Sequence, residues 1–224
     1  ALVKGDDEAD DFLRGPDGVM VRCRADEPGV LIGRIAGGAG SFDGYQDGEA
    51  TKKKILTDVF RKGDAYFNSG DMLRTDRRRR LYFVDRMGDT FRWKGENVST
   101  FEVQEQISSW SPVEEINVYG VQVPHADGRA GMASVVLSNE FDPAAFKHHI
   151  DEALPGYARP IFVRVQQAMD TTGTLKLKKA DLRDEGFDPR VVRDPLYFRH
   201  PEEDAYVPLS EALFAQIERG ELRI

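Results

Sequence analysis

An α+β fold in two successive parts is predicted for this 224-residue chain. Three observations predict it. Up to about Asp85 the apolar residues fall in short alternating runs punctuated by Gly, Pro, Asn and Asp, the grammar of a β-rich region. Beyond Arg86, capped helical segments alternate with strands, as in a small α+β domain. The composition, 40% hydrophobic and 31% charged, is ordinary for a globular chain, and a chain of this length buries roughly 70% of the surface it would expose unfolded. The expected division is a β-rich segment over 1–86, a compact βαββαβ unit over 87–185 and an acidic C-terminal tail over 186–224.

Taken in order, Gly18 to Ile32 (GVMVRCRADEPGVLI) predicts a hairpin, two alternating runs about the turn former Asp26-Glu27-Pro28-Gly29. Gly37, Gly38 and Gly40 make the following stretch a loop; no Gly-Lys-Ser/Thr follows, so it is not read as a phosphate cradle. Between Asp47 and Lys62 the spacing of Ile55, Leu56, Val59 and Phe60 predicts a short amphipathic helix carrying the solvated Lys52, Lys53 and Lys54. Ala65-Tyr66-Phe67 and Leu81 to Asp85 are strands, separated by a sharp Asn68-Ser69-Gly70-Asp71 segment and by Arg77 to Arg80. Adjacent residues in a strand or turn point in different directions, so the four arginines form a solvated hairpin tip and not a phosphate grip.

Ser99-Thr100-Phe101-Glu102 is a capping box that opens a helix to about Trp110, with Val103, Ile107 and Trp110 on one face. Strands are predicted at Ile116 to Val123, Met132 to Leu137 and Ile161 to Val165, and a second helix over Asp142 to Ala153 stops before Pro155-Gly156.

Charge and cysteine usage exclude several function classes. Lys+Arg 31 against Asp+Glu 39 leaves a net charge of -8, which opposes attraction to nucleic acid and to anionic lipid. The lone Cys23 cannot close an internal disulfide, which fits a reducing location, cytoplasmic or on the cytoplasmic face of a membrane. No apolar run reaches the ~20 residues of a transmembrane helix. The opening Ala1-Leu2-Val3-Lys4-Gly5 reads as the start of a piece of something longer. None of His125, His148, His149 and His200 has a partner at ligand spacing, so no metal site is expected. Cys23 has nothing nearby in sequence to activate it and reads as a small core residue.

Two segments are not explained by local propensity: Ser69-Gly70-Asp71, followed by Asp85-Arg86 and Gly88 to Val98, and the hydroxyl- and glycine-rich run Asp170 to Lys179. Together with FDGY (Phe42 to Tyr45), YFVDRMGDTFRWKGENVSTFEV (Tyr82 to Val103), VYGVQVP (Val118 to Pro124), YARPIFVR (Tyr157 to Arg164), DTTGTLKLKK (Asp170 to Lys179) and EGFDP (Glu185 to Pro189), they resemble the C-terminal part of adenylate-forming acyl-CoA synthetases. The resemblance is to the fatty acid transport protein and very-long-chain acyl-CoA synthetase branch, and it spans about Gly29 to Phe198.

The resemblance implies the last β-rich subdomain of a large N-terminal lobe, holding the ribose-binding acid and ending at a hinge, then a mobile α+β lid domain. It implies a two-step ligase. A fatty acid carboxylate attacks the α-phosphorus of ATP to give acyl-AMP and pyrophosphate; the CoA thiol then displaces AMP. ATP, accompanied by Mg2+, and CoA are the implied cofactors, with the metal ligands and most of the acyl tunnel in the missing N-terminal lobe. The fragment alone is expected to be inactive, and peripheral membrane association of the parent protein is compatible with it.

Residue by residue, Asp71 falls at the ribose-binding position, where a carboxylate accepts hydrogen bonds from two vicinal hydroxyls; the alternative is a turn acid capping local amides. Arg86 supplies an always-ionised planar donor beside the nucleotide, or else a structural salt bridge with Asp85 or another acid. Gly88, with Asp89 beside it, matches the hinge, or is a plain turn glycine. Arg92, Trp93 and Gly95 fall where the thioester-forming face meets CoA, Trp93 equally suiting the domain core. The family's adenylation lysine follows the loop glycine directly, whereas here the run is Gly173-Thr174-Leu175-Lys176. Lys176 is the candidate catalytic residue, with Lys178 and Lys179 as rivals. A module that keeps the ligase fold but serves interaction or lipid uptake is the alternative from another functional class.

Overall fold

The computed structural model describes residues 1–6, 11–35, 54–87, 89–169 and 179–224, with only the backbone of Ala180. The chain divides into two compact units, Ala1–Gly88 and Asp89–Ile224.

Among its described residues the first unit is mainly β. Its strands are β1 (Leu2–Val3), β2 (Gly5–Asp6), β3 (Asp11–Phe12), β4 (Pro28–Arg34), β5 (Ile55–Thr57), β6 (Ala65–Thr75) and β7 (Leu81–Arg86). One sheet runs β1-β4-β6-β5, with β7 also on β6. Every pairing in it is antiparallel, β5 lying against residues 65–67 and β7 against residues 71–75. Val3, Phe12, Met20, Val30, Ile32 and Val59 close a small core.

Two expectations fail here. Gly18 to Ile32 is not a hairpin: Pro28 and Gly29 already belong to β4, whose partners are β1 and β6. Residues 20 and 22 make only isolated bridges, to Arg14 and Val3. Alternation shows that a run is a strand but not which strand it pairs with. Of the helix predicted over Asp47 to Lys62, residues 47–53 lie outside the described residues and Lys54 is helical, but Ile55 to Lys62 form β5 and a tight turn. Asp64 accepts hydrogen bonds from the amides of Val59, Phe60 and Arg61 at 2.7, 3.0 and 3.0 Å, and Asp58 turns at φ 53°. A carboxylate that satisfies three consecutive amides competes directly with helical pairing, and Val59 reaches the core from the turn instead.

The β6–β7 connection is the solvated arginine tip expected from sequence. Asp76 accepts from the amides of Arg78 and Arg80, both at 2.9 Å, and Arg77 to Arg80 are exposed. Cys23 is partly buried, its thiol donating to the Pro28 carbonyl at 3.3 Å. Burial, and secondarily Glu27, hold its pKa above the usual thiol value against the opposing Lys4, which suits an inert side chain.

The second unit contains β8 (Phe91–Trp93), β9 (Glu96–Val98), α1 (Thr100–Ser108), β10 (Val113–Gln122), β11 (Arg129–Leu137), α2 (Pro143–Ala153), β12 (Phe162–Gln166), α3 (Lys179–Glu185), β13 (Leu196–His200), β14 (Ala205–Pro208) and α4 (Glu211–Glu218). Its five-stranded sheet runs β10-β11-β12-β13-β14. Only β11 and β12 are parallel, because α2 makes the crossover between them. Side-chain caps start the helices where the sequence places them. Ser99 accepts from the Glu102 amide at 3.2 Å, and Asp142 from the Ala144 and Ala145 amides at 3.0 Å.

Residues 186–224 are not a tail. β13 and β14 extend the sheet beyond β12, and α4 buries Phe214 and Ile217. Phe162 stacks between Phe187 at 3.9 Å and Phe198 at 5.5 Å. The many surface acids of this segment mask an alternation of burial, Leu196, Phe198 and His200 buried with Tyr197 and Arg199 partly exposed between them.

Candidate functional site

In the first unit the sequence-predicted Asp71 and Arg86 become direct cross-strand neighbours. Opposite Leu31, β6 swells by Ser69-Gly70-Asp71, since Val30 pairs with Met72 and Ile32 with Asn68. The bulge is held by its own side chains. Asn68 accepts from the Gly70 amide at 2.9 Å, and the Ser69 hydroxyl accepts from the Asp71 amide at 3.1 Å while donating to the Leu31 carbonyl at 2.8 Å. Gly70 sits at φ 79°. Asn68 and Ser69, to which the sequence reading assigned no role of their own, therefore do the capping that was the alternative role for Asp71.

The Asp71 carboxylate is 3.7 Å from Arg86 Nε, with the two side chains 40% and 55% exposed. That is an ion pair longer than a hydrogen bond, which leaves the carboxylate oxygens able to accept from hydroxyl donors and the guanidinium able to donate to anionic oxygens. Asp85, the other proposed partner of Arg86, is buried and accepts from the Arg86 backbone amide at 2.8 Å.

In the second unit Arg92, Trp93 and Gly95 lie on the β8–β9 hairpin. Lys94 and Gly95 take φ 50° and 86°, a two-residue turn with both centres left-handed, the geometry that matches strand twist and favours glycine. Arg92, Lys94 and Gly95 are exposed. Trp93 is not: it is 2% exposed and belongs to the unit's core. The hairpin is seated tightly, since a Cβ on Gly128 would lie 2.2 Å from the Arg92 carbonyl oxygen and Trp93 bridges Gly128. Buried Trp93 thus holds an exposed turn with basic Arg92 and Lys94 in place, and cannot itself stack on a ligand here.

Asp89 opens this unit, and its carboxylate accepts from Lys179 Nζ at 3.1 Å. The same ammonium donates to Thr100 Oγ at 2.8 Å. Read from the sequence, Lys179 is only a rival to Lys176 and Thr100 is not singled out; residues 79 and 90 positions apart leave no local signal of such a contact. Lys176, Lys178 and Gly88 lie outside the described residues. Among the described residues, no group of three or more His, Cys, Asp or Glu could hold a metal ion, and no helix is long and apolar enough to cross a membrane.

Comparison with known proteins gives a consistent picture. Residues 102–176 match the family model of the AMP-binding enzyme C-terminal domain. The chain is 46% identical, over its whole length, to long-chain fatty acid transport protein 6 of Mus musculus, and covers 36% of that protein. It is 47% identical over 96% of its length to long-chain fatty acid transport protein 2 of Rattus norvegicus, covering 35% of it. Among solved structures, ATP-bound MatB from Rhodopseudomonas palustris matches 77% of this chain and 33% of its own at TM-score 0.58 and 25% identity. The o-succinylbenzoate CoA synthetase MenE of Bacillus subtilis shares the fold at TM-score 0.61 and 22% identity, over 78% of this chain and 34% of its own. The chain spans about a third of the length of these relatives; it carries the AMP-binding enzyme C-terminal domain and is similar, along its whole length, to the C-terminal-domain-bearing part of the long-chain fatty acid transport proteins.

Proposed function

We propose that the chain is the C-terminal part of a long- or very-long-chain fatty acid–CoA ligase that forms acyl-AMP from ATP and then the CoA thioester. The observation that carries this reading is the paired, half-exposed Asp71 and Arg86 on adjoining strands, in a chain with these relatives. Asp71 takes the ribose hydroxyls and Arg86 the phosphate oxygens. Lys176 neutralises charge developing on the carboxylate oxygen and α-phosphate during adenylation. Gly88 is the pivot, with Asp89 beside it. The β8–β9 turn, through Arg92 and the bare backbone at Gly95, meets CoA in the second half-reaction, Trp93 acting only as its buried support. Fatty acid, ATP with Mg2+, CoA and the N-terminal lobe of the same protein are the partners, and the metal's ligands are assigned to that lobe.

Full-length protein supplied with ATP, CoA and long-chain fatty acids tests the reading: acyl-CoA and AMP are expected in equal amounts. Lys176→Ala is expected to abolish acyl-AMP formation while sparing thioester formation from supplied acyl-AMP. Folded protein that yields neither product overturns the ligase reading. A second reading, a non-catalytic lipid-uptake accessory, is favoured by one observation: Gly173 is followed by Thr174 and not by lysine. Folded full-length protein that binds fatty acid without making acyl-AMP would support it.

A further inference from the structure

Lys179 is engaged in a way that an adenylation lysine need not be. Its ammonium makes an ion pair with Asp89 at 3.1 Å and donates to the hydroxyl of Thr100 at 2.8 Å, using two of its three donors. Three separate parts of the second unit meet at this point. Asp89 is the unit's first residue; Thr100 is the first residue of α1 and 1% exposed; Lys179 is the first residue of α3. Lys179 and Asp89 side chains are 22% and 32% exposed, so solvent screens this pair less than one at the open surface. Thr100 directly follows Ser99, whose hydroxyl caps α1 by accepting from the Glu102 amide at 3.2 Å. To reach a transferring phosphate, Lys179 would have to abandon a partly buried carboxylate, at an energetic cost that a solvated lysine would not meet.

We propose that Lys179 is a positioning residue for adenylation: by pairing with Asp89 and Thr100 it holds the chain in place three residues after Lys176 in sequence, and ties that point to the residue that follows Gly88. The proposal rests on the ligase reading, which makes Lys176 the reacting lysine. It removes Lys179 from the rivals for that role and gives Asp89 a partner rather than a direct contact with substrate. The effect is geometric, of the kind in which a small misplacement lowers rate steeply while ground-state nucleotide binding changes little.

A double-mutant cycle on the full-length protein tests it, with acyl-AMP formation measured from ATP and fatty acid. Lys179→Met and Asp89→Asn are each expected to lower the rate about 10- to 100-fold with the KM for ATP changed less than about twofold. The double variant should be no slower than the slower single one, because both remove one contact. Lys179→Arg, which keeps the ion pair, should retain most of the rate. Asp89→Asn at the wild-type rate beside Lys179→Met at background would overturn the proposal and make Lys179 the reacting lysine.

Amide hydrogen exchange on the 224-residue chain gives an independent reading. Each single variant should speed exchange within α3 by about 3- to 10-fold, and the double variant by no more. Additive effects would overturn the anchor. Were wild-type full-length protein to form no acyl-AMP, the ligase reading would fall while this second cycle still decided whether Lys179 and Asp89 are coupled.

Discussion

The two units solve the same problem, burying a β-sheet, with different means. Among the described residues, the first unit closes its sheet over six buried apolar residues, with Phe12 the only aromatic among them, and leaves Leu13, Leu81, Tyr82 and Phe83 exposed. The second packs helices on its sheet around an aromatic cluster, with Phe141, Phe146, Phe162, Phe187, Phe198, Tyr206 and Phe214 in mutual ring contact or close by. Its sheet also carries a buried ionic group: Arg164 is 7% exposed and pairs with both Glu185 and Asp194. The candidate groups differ accordingly. Asp71 and Arg86 stand on a bulged sheet and rely on local caps, whereas the Lys179 contact and the β8–β9 turn are held by residues far away in sequence. Perturbing the core should therefore cost the second unit its stability, while perturbing the first unit's candidate pair should change binding with little effect on folding.

The largest effect is expected from deleting residues 186–224. Removing this segment takes away β13, β14 and α4, uncovers one edge of β12 and removes both ring partners of Phe162, so the second unit should lose its cooperative unfolding transition in calorimetry. A deletion that unfolded as sharply as the intact chain would restore the reading of this segment as a tail.

Single core truncations sharpen the contrast. Phe198→Ala, at a side chain 0% exposed, should destabilise the second unit by about 3 to 5 kcal/mol in urea unfolding. Ile32→Ala in the first unit, at 1% exposed, should cost about 2 kcal/mol, the low end for such a change, because a thin core with an exposed face relaxes more readily into the gap. Equal costs would contradict the contrast drawn between the cores.

Asp71→Ala in the full-length protein should weaken ATP binding by about 1.5 to 3 kcal/mol, the range for hydrogen bonds to a charged group, as read by calorimetric titration. The melting temperature should not move, since Asn68 and Ser69 hold the bulge. Unchanged affinity with a lowered melting temperature would return Asp71 to a structural role.

The smallest effect concerns acid. Burial acts to raise the pKa of Asp151, but hydrogen bonds from Lys147 and Arg199 and the charges of Arg199 and Arg159 outweigh it and hold the carboxyl below its ordinary 3.8. A carboxyl depressed in the folded state contributes stability above its unfolded pKa and loses it as pH falls through the folded value. Chemical denaturation from pH 5 down to about pH 2 should therefore show a loss of second-unit stability that Asp151→Asn, already weaker at neutral pH, shows less steeply. Parallel pH curves for the two proteins would assign the acid sensitivity elsewhere.

Much of this protein was legible along the chain. Ser99, Asp142 and the strands around them are local decisions, in which a cap side chain and an alternating run act within a few residues of themselves. The family was legible too, because ordered motifs survive in sequence, and the same motifs put Asp71 and Arg86 forward as candidates. Pairing was not. Whether Pro28 to Arg34 folds back on its predecessor or lies beside Leu2–Val3, and whether Ile55 to Thr57 coils or pairs with 65–67, depends on partners that alternation cannot name and on the Asp64 carboxylate taking three amides at once. Nor could composition reveal that an acid-rich C-terminal segment supplies two strands to a sheet, or that Lys179 meets Asp89 and Thr100. Those outcomes are set by long-range contact, where the gain from burial or ion pairing has to exceed the entropy of closing a long loop, and only the folded chain fixes which contacts do so.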